Sequence, residues 1–214
     1  MPNVSALPQT SARTLAHYDQ HAQAFWNGTR DHDVSQNRDA LLRHIAAPTP
    51  LRLLDFGCGP GRDLGAFRDL GHEVVGLDGA ARFCQMARTY ANCEVWQQDF
   101  LALDLPSDRF DGVFANAVLF HVPSVHLPGV LRALHDTLRP GGVLFASNPW
   151  GDNEEGWQGD RYGVYHSLDH WRAYVTAAGF AELEHYYRPA GQPCHRQPWL
   201  ATVWRRPETL EEKY

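Results

Sequence analysis

A chain of 214 residues is one domain's worth, and its 43% hydrophobic and 21% charged content is that of an ordinary globular protein with a sizeable core. The formal net charge of −6 leaves no basic footprint and weighs against a nucleic-acid partner. No apolar run approaches the ~20 residues of a membrane span, so no membrane partner is expected.

Residues Met1 to about Thr10 hold two prolines and little periodicity, which predicts a mobile tail. Met-Pro-Asn-Val-Ser has no cationic stretch leading into an apolar one, so no signal peptide is expected. Ser11 then caps a helix to about Trp26, with Leu15, Tyr18, Ala22, Phe25 and Trp26 at helical spacing. Asn27-Gly28-Thr29 breaks it. A second helix, Val34 to Ala46, carries Leu41, Leu42 and Ile45 and ends before Pro48 and Pro50.

Alternation follows: strand Leu51–Phe56, helix Arg62–Leu70, strand Glu73–Leu77, helix Ala80–Tyr90, strand Cys93–Gln97, strand Phe110–Asn116 and helix Val125–Leu138. Arg139-Pro-Gly-Gly142 stops that helix, with Gly141-Gly142 as its C-terminal cap. Strand Val143–Ser147 comes next. From Asn148 to His166 the pattern dissolves, and a loop of this length reads as a lid or binding loop. Ser167 caps a helix over Leu168–Ala178. Strands Phe180–Tyr187 and Leu200–Arg205, joined without a helix, should pair antiparallel. The fold class is α/β, a three-layer α/β/α Rossmann-like arrangement on a seven-stranded, mostly parallel sheet. The expected organisation is a tail and helical cap over 1–33, a main domain over 34–206 with a lid over 149–166, and a short tail over 207–214.

The first strand runs into Asp55-x-Gly57-Cys58-Gly59-x-Gly61. Strand, Gly-rich turn and helix make the general recipe for a nucleotide-type site. A dinucleotide fingerprint would need a third glycine where Arg62 stands, and no G-x-x-x-x-G-K-[ST] run exists. The second strand ends in Asp78-Gly79, and the third in Asp99-Phe100. The fourth reads Phe110-Asp-Gly-Val-Phe-Ala-Asn116-Ala117-Val-Leu-Phe-His121, and Arg139-Pro-Gly-Gly142 precedes the fifth. In this order and spacing the motifs resemble those of the class I S-adenosylmethionine (SAM) dependent methyltransferases over roughly residues 34–206.

That resemblance implies SAM as cofactor and S-adenosylhomocysteine as product. It implies that Asp55, Gly57, Cys58 and Gly59 form the cofactor turn. Asp78 would accept from the ribose hydroxyls, beside Gly79; the alternative is an N-cap for the next helix. Asp99 and Phe100 would take the adenine; the alternative is a solvated turn acid and a core Phe. Asn116 and Ala117 would lie over the methionine part. Tyr18-Asp-x-x-Ala22-x-x-Phe25-Trp26 resembles a segment found before the sheet in small-molecule members, where Tyr18 reaches the cofactor's carboxylate and an aromatic such as Trp26 faces the sulfonium. Phe25 reads as a core residue.

For the acceptor, His121 is the candidate base, with a structural histidine as the alternative. Tyr162 and His166, with Arg161 and Tyr165, could clamp an anionic or aromatic acceptor from the lid. His17/His21 and His166/His170 have helical i, i+4 spacing but lack a third ligand, so no metal is assigned. Cys58, Cys84, Cys93 and Cys194 form no C-x-x-C, which is expected of a reduced, cytoplasmic protein without structural zinc; Cys194-His195 reads as exposed loop. The leading expectation is an enzyme methylating a small molecule by in-line displacement, as a monomer or homodimer. The alternatives are a methyltransferase of tRNA or a protein side chain and a non-catalytic SAM-binding domain.

Overall fold

The computed structural model describes residues 7–192 and 196–208. Cys194 and His195 lie outside the described residues. The elements in order are α1 (Leu7–Thr29), α2 (Ser35–Leu42), β1 (Arg52–Phe56), α3 (Arg62–Asp69), β2 (Glu73–Asp78), α4 (Ala81–Ala91), β3 (Glu94–Gln97), β4 (Phe110–Asn116), a 3₁₀ turn (Leu119–His121), α5 (Leu127–Thr137), β5 (Leu138–Pro149), β6 (Glu154–Gln158), β7 (Arg161–Tyr165), α6 (Leu168–Ala177), β8 (Ala181–Arg188) and β9 (Trp199–Arg205).

Seven strands form one sheet in the order β3-β2-β1-β4-β5-β9-β8. The first five are parallel. The β9 strand inserts antiparallel between β5 and β8. This is the expected three-layer sheet with its closing antiparallel hairpin. The order reverses direction between β1 and β4, and ligands of such sheets bind outside the carboxyl ends of the strands at that switch point.

The strands read as apolar runs because both faces are covered. Leu54, Phe56, Val113, Ala115, Leu144 and Ala146 face α5 and α6, whose Leu127, Leu131, Leu134, Trp171 and Val175 complete that layer. Leu53, Phe114, Val143 and Phe145 face the other way, against Leu41, Leu64, Phe67, Cys84 and Ala87 of the remaining helices. The period of two along each strand divides the core into these two sets. At the far end from the switch point, Asp111 accepts from Arg52 N–H and pairs with Arg139 at 2.7 Å, joining the beginnings of three strands. Its role there is structural.

Three local expectations change. The first helix begins at Leu7 and continues to Thr29, so Thr10 is helical and buried rather than in a tail. Arg62 donates to Thr29 O at 3.0 Å, holding the helix end against the Gly-rich turn. Gly141 (φ +81°) does not cap α5, which ends at Thr137. Its N–H bonds Arg206 O within an irregular entry into β5. The stretch read as a lid loop holds the β6–β7 hairpin, Glu154–Tyr165. Tyr162 N–H donates to Thr14 Oγ1 at 3.1 Å. Arg13 pairs with Asp160 at 2.7 Å and lies over the Trp157 ring at 4.4 Å. The hairpin is thereby bound to α1, and the two form one cover.

Candidate active site

The carboxyl ends of β1, β2, β3 and β4, with α1 and the hairpin above them, line a partly open cavity of about 680 Å³. Its floor is the turn after β1. Gly57 N–H and Cys58 N–H both bond Leu77 O, which folds the turn over the end of β2. Gly57 has φ +74°, and a Cβ there would lie 2.2 Å from Val118 Cγ2. Only glycine fits both the torsion and the space. Gly61, at φ +98°, begins α3 and leaves no room against Ala87.

Three carboxylates line the cavity from successive strand ends. Asp55 is buried, and its Oδ2 has no hydrogen-bond partner among the described residues. Burial first, and then the nearby Asp63 carboxylate, hold its carboxyl well above the ordinary range. An orphaned acceptor of this kind suits a cationic ligand group. Asp78 accepts from Gly59 N–H at 3.0 Å and Ala80 N–H at 2.9 Å. It is not the cap residue of α4, which is Ala80. Burial raises Asp78 to about 6 against the pull of these backbone donors. Asp99 accepts from Ser11 Oγ at 2.6 Å and from Leu101 N–H at 2.9 Å. Ser11, read from sequence as a helix cap, instead ties α1 to the β3 end. Arg38 and Arg62 both pair with Asp63 at the same edge.

Tyr18 and His121 meet above this floor. His121 Nδ1 bonds Tyr162 O at 2.6 Å, so Nδ1 carries the proton and donates. The other nitrogen, Nε2, accepts from Tyr18 Oη at 2.7 Å. Burial, with the Arg161 cation adding to it, lowers His121 to about 4. Its imidazole is therefore neutral at physiological pH. Tyr18 is raised by burial, and a hydrogen bond from Arg161 opposes that rise. Phe25 and Phe83 pack against Tyr18, so Phe25 is part of a small aromatic core that also lines the cavity.

Of the residues read from sequence as cofactor groups, Tyr18, Trp26, Asp55, Gly57, Cys58, Gly59, Asp78, Asp99, Phe100, Asn116 and Ala117 line this one cavity. Gly79 stands behind it: a Cβ there would strike Leu15 of α1 at 2.6 Å. Ala117 holds φ +60°, a backbone state rare for a residue with a Cβ, and its N–H bonds Ser147 O. Of the three catalytic candidates only His121 lines the cavity. Tyr162 turns its hydroxyl away to Glu155 at 2.8 Å, and its pKa is pushed up to about 12 by burial and that carboxylate. It meets the site through its backbone carbonyl, because β-strand side chains alternate and Arg161 takes the inward position. His166 lies past the end of β7 against Trp171 and Tyr174, beside a separate depression that includes His170. His17 and His21, one turn apart on α1, stack on each other and do not line the cavity.

The sequence reading passed over Asn37. It is 2% exposed, donates to Asn116 Oδ1 at 2.9 Å, and accepts from Tyr186 Oη and Arg188 Nη1. A polar residue four before Leu41, on the buried face of an amphipathic helix, was the available signal. Arg188, Ser147 and Trp199 also line the cavity, brought there from strands distant in sequence.

The family described as "Methyltransferase domain" matches residues 53–142, the span that carries the Gly-rich turn, Asp78, Asp99 and Asn116. The chain is 34% identical over 147 residues to the malonyl-[acyl-carrier protein] O-methyltransferase of Enterobacter lignolyticus, covering 67% of this chain and 54% of that one. It is 34% identical over 131 residues to the ubiquinone biosynthesis O-methyltransferase of Methylocella silvestris, covering 53% and 50%. The chain thus spans about half the length of these curated relatives. Among solved structures, 1,6-didemethyltoxoflavin-N1-methyltransferase of Burkholderia thailandensis, with bound 1,6-didemethyltoxoflavin and S-adenosylhomocysteine, superposes with a TM-score of 0.79 at 20% identity, covering 97% of this chain and 93% of that one. The [4+2]-cyclase SpnF shares the fold at a TM-score of 0.72 and 17% identity, covering 94% and 98%. Sheet order, Gly-rich turn, the acids at successive strand ends and the matched domain agree, and the chain belongs to the class I S-adenosylmethionine-dependent methyltransferases.

Proposed function

We propose that this protein transfers the methyl group of SAM to a small-molecule acceptor. The observation that carries the reading is the row Asp55, Asp78 and Asp99 along one cavity, with the Tyr18–His121 pair facing it. The acids fit the cofactor's groups. The orphaned Oδ2 of Asp55 suits its ammonium, the Asp78 carboxylate suits two ribose hydroxyls, and Asp99 retains lone pairs for an exocyclic amine. Arg161 presents donors for its carboxylate, and Tyr18 Oη, its proton held by His121 Nε2, accepts from Arg161 and aligns it. Bound SAM supplies a methyl electrophile on a sulfonium leaving group.

The chain's own work is to bind, align and exclude water. α1 and the hairpin, tied to each other, cover part of the cavity and reduce its exposure to solvent. His121 fixes the Tyr18 hydroxyl by accepting its proton-side hydrogen bond. As a base His121 is mistuned: with a pKa near 4 it takes a proton poorly at neutral pH. Both ring nitrogens are already engaged, Nδ1 by Tyr162 O and Nε2 by Tyr18 Oη, and His121 is a positioning residue. A small acceptor is supported by the limited cavity volume, about 680 Å³, and the acidic net charge. The cyclase neighbour is a reminder that fold does not decide reaction. Incubation with methyl-labelled SAM and a cell extract fractionated into metabolites, RNA and protein tests the reading. Label in metabolites is the expected result, and label in RNA or protein would overturn the acceptor class.

A further inference from the structure

The acceptor side of the cavity carries a cation that the methyl-transfer reading leaves unused. Arg188, at the end of β8, lines the cavity. Its Nη1 donates to Asn37 Oδ1 at 2.9 Å and its Nη2 to Asp33 O at 3.3 Å. Both partners are neutral acceptors. By contrast, Arg62 in the same wall is neutralised by Asp63 at 2.6 Å. The acid nearest in charge to Arg188, Asp33, is exposed, and its Oδ1 is engaged by Ser35 N–H at 2.9 Å. Among the described residues the guanidinium is thus oriented without forming a salt bridge.

Its anchor is built into the protein. Asn37 is buried, bonded to Asn116 at the end of β4 and to the Tyr186 hydroxyl. One hydrogen-bonded chain therefore runs from the strand end assigned to the cofactor's methionine part to the arginine. Between them the wall is aromatic: Phe120 and Trp199 lie edge to face at 6.4 Å. Both line the cavity, as does Ser147.

We propose that the acceptor is a planar aromatic or conjugated molecule bearing a carboxylate, anchored by Arg188 and flanked by Phe120 and Trp199; the proposal rests on the methyltransferase reading of the same cavity. A guanidinium fork matches a carboxylate in shape and charge, and the aromatic walls match a flat body. The anchored carboxylate is not the methylated atom, because a guanidinium bonded to it would withdraw the lone pair that must attack. Arg188 gives the acceptor end of the cavity a cation, which directs an anionic acceptor to that end.

The test is calorimetric titration of the full chain, saturated with S-adenosylhomocysteine, with benzoate and with its neutral counterpart benzamide. Benzoate is expected to bind at least about tenfold more tightly than benzamide. The Arg188→Gln variant should lose that preference, and Arg188→Lys should keep part of it. Affinity for S-adenosylhomocysteine should be unchanged in both variants, which also shows that they fold. Equal binding of the two probes, no binding of either, or a preference that survives Arg188→Gln would overturn the anchor while leaving the cofactor site standing. Failure of the wild-type chain to bind S-adenosylhomocysteine would instead overturn the methyltransferase reading and, with it, the anchor.

Discussion

Single side chains in this site are defined by what their second partner is. Asp78 already serves two backbone donors, so its remaining lone pairs are directed into the cavity. Asp78→Ala is expected to weaken SAM binding by ~1–3 kcal/mol, the range for lost hydrogen bonds to a charged group; unchanged affinity by calorimetry would remove the ribose assignment. His121 and Tyr162 separate by the same reasoning. His121→Ala frees the Tyr18 hydroxyl and should lower turnover by about 10–100-fold with a smaller effect on cofactor affinity, since misplacement of an aligned group costs that order. Tyr162→Phe removes only a hydroxyl that faces Glu155 outside the cavity, and kcat should stay within about twofold. A large loss of turnover in Tyr162→Phe would show that the hydroxyl swings inward during the reaction. The motif acids were legible because each stands at a strand end in a fixed order. The acceptor-side residues were not, because the inward or outward sense of β7 depends on where the hairpin docks.

At the scale of elements, the turn between β1 and α3 is closely packed. Gly57 combines positive φ with contact against Val118, which heads the segment leading to His121. Gly57→Ala should cost ~1–2 kcal/mol for the torsion, with a further ~1–3 kcal/mol for overpacking. Chemical denaturation would measure the sum, and a loss below ~1 kcal/mol would mean that the turn relaxes freely. Adding Val118→Ala should recover the packing part alone. Hydrophobic periodicity predicted every strand of the main sheet and its antiparallel closure. It failed where local pattern and tertiary context part. The first helix extends beyond its apparent breakers because the sheet edge and Arg62 hold its ends. The hairpin lacks apolar alternation because it lies over a cavity rather than a core.

For the molecule as a whole, pH acts on the buried groups Asp78 and His121 in opposite directions. Asp78 is raised from 3.8 to about 6, so its favourable contribution to stability is complete below its unfolded value and is lost as pH rises through about 6. His121 is lowered from 6.5 to about 4, so its contribution is complete above 6.5 and is lost as pH falls toward 4. Between pH 4 and 6 the two oppose each other in the unliganded protein. Cofactor binding breaks the balance, because the ligand's donors and cationic groups need Asp78 and Asp55 ionised. The rise in Tm produced by saturating S-adenosylhomocysteine is expected to shrink as pH falls from about 7 to about 5. A rise constant across that range would mean that neither carboxyl touches the ligand.

The amino-acid sequence by itself determined the layered sheet, the order of its motifs and the class of cofactor site. These depend on local pattern: a period of two in strands, a period near 3.6 in helices, and glycines where the chain must turn with positive φ. The tertiary structure alone decided which polar groups converge on the acceptor side. His121 meets Tyr18 across 103 positions of chain and Arg188 meets Asn37 across 151. No periodicity encodes such distances; they follow from the order in which the strands pack, and burial then decides the charge each group carries.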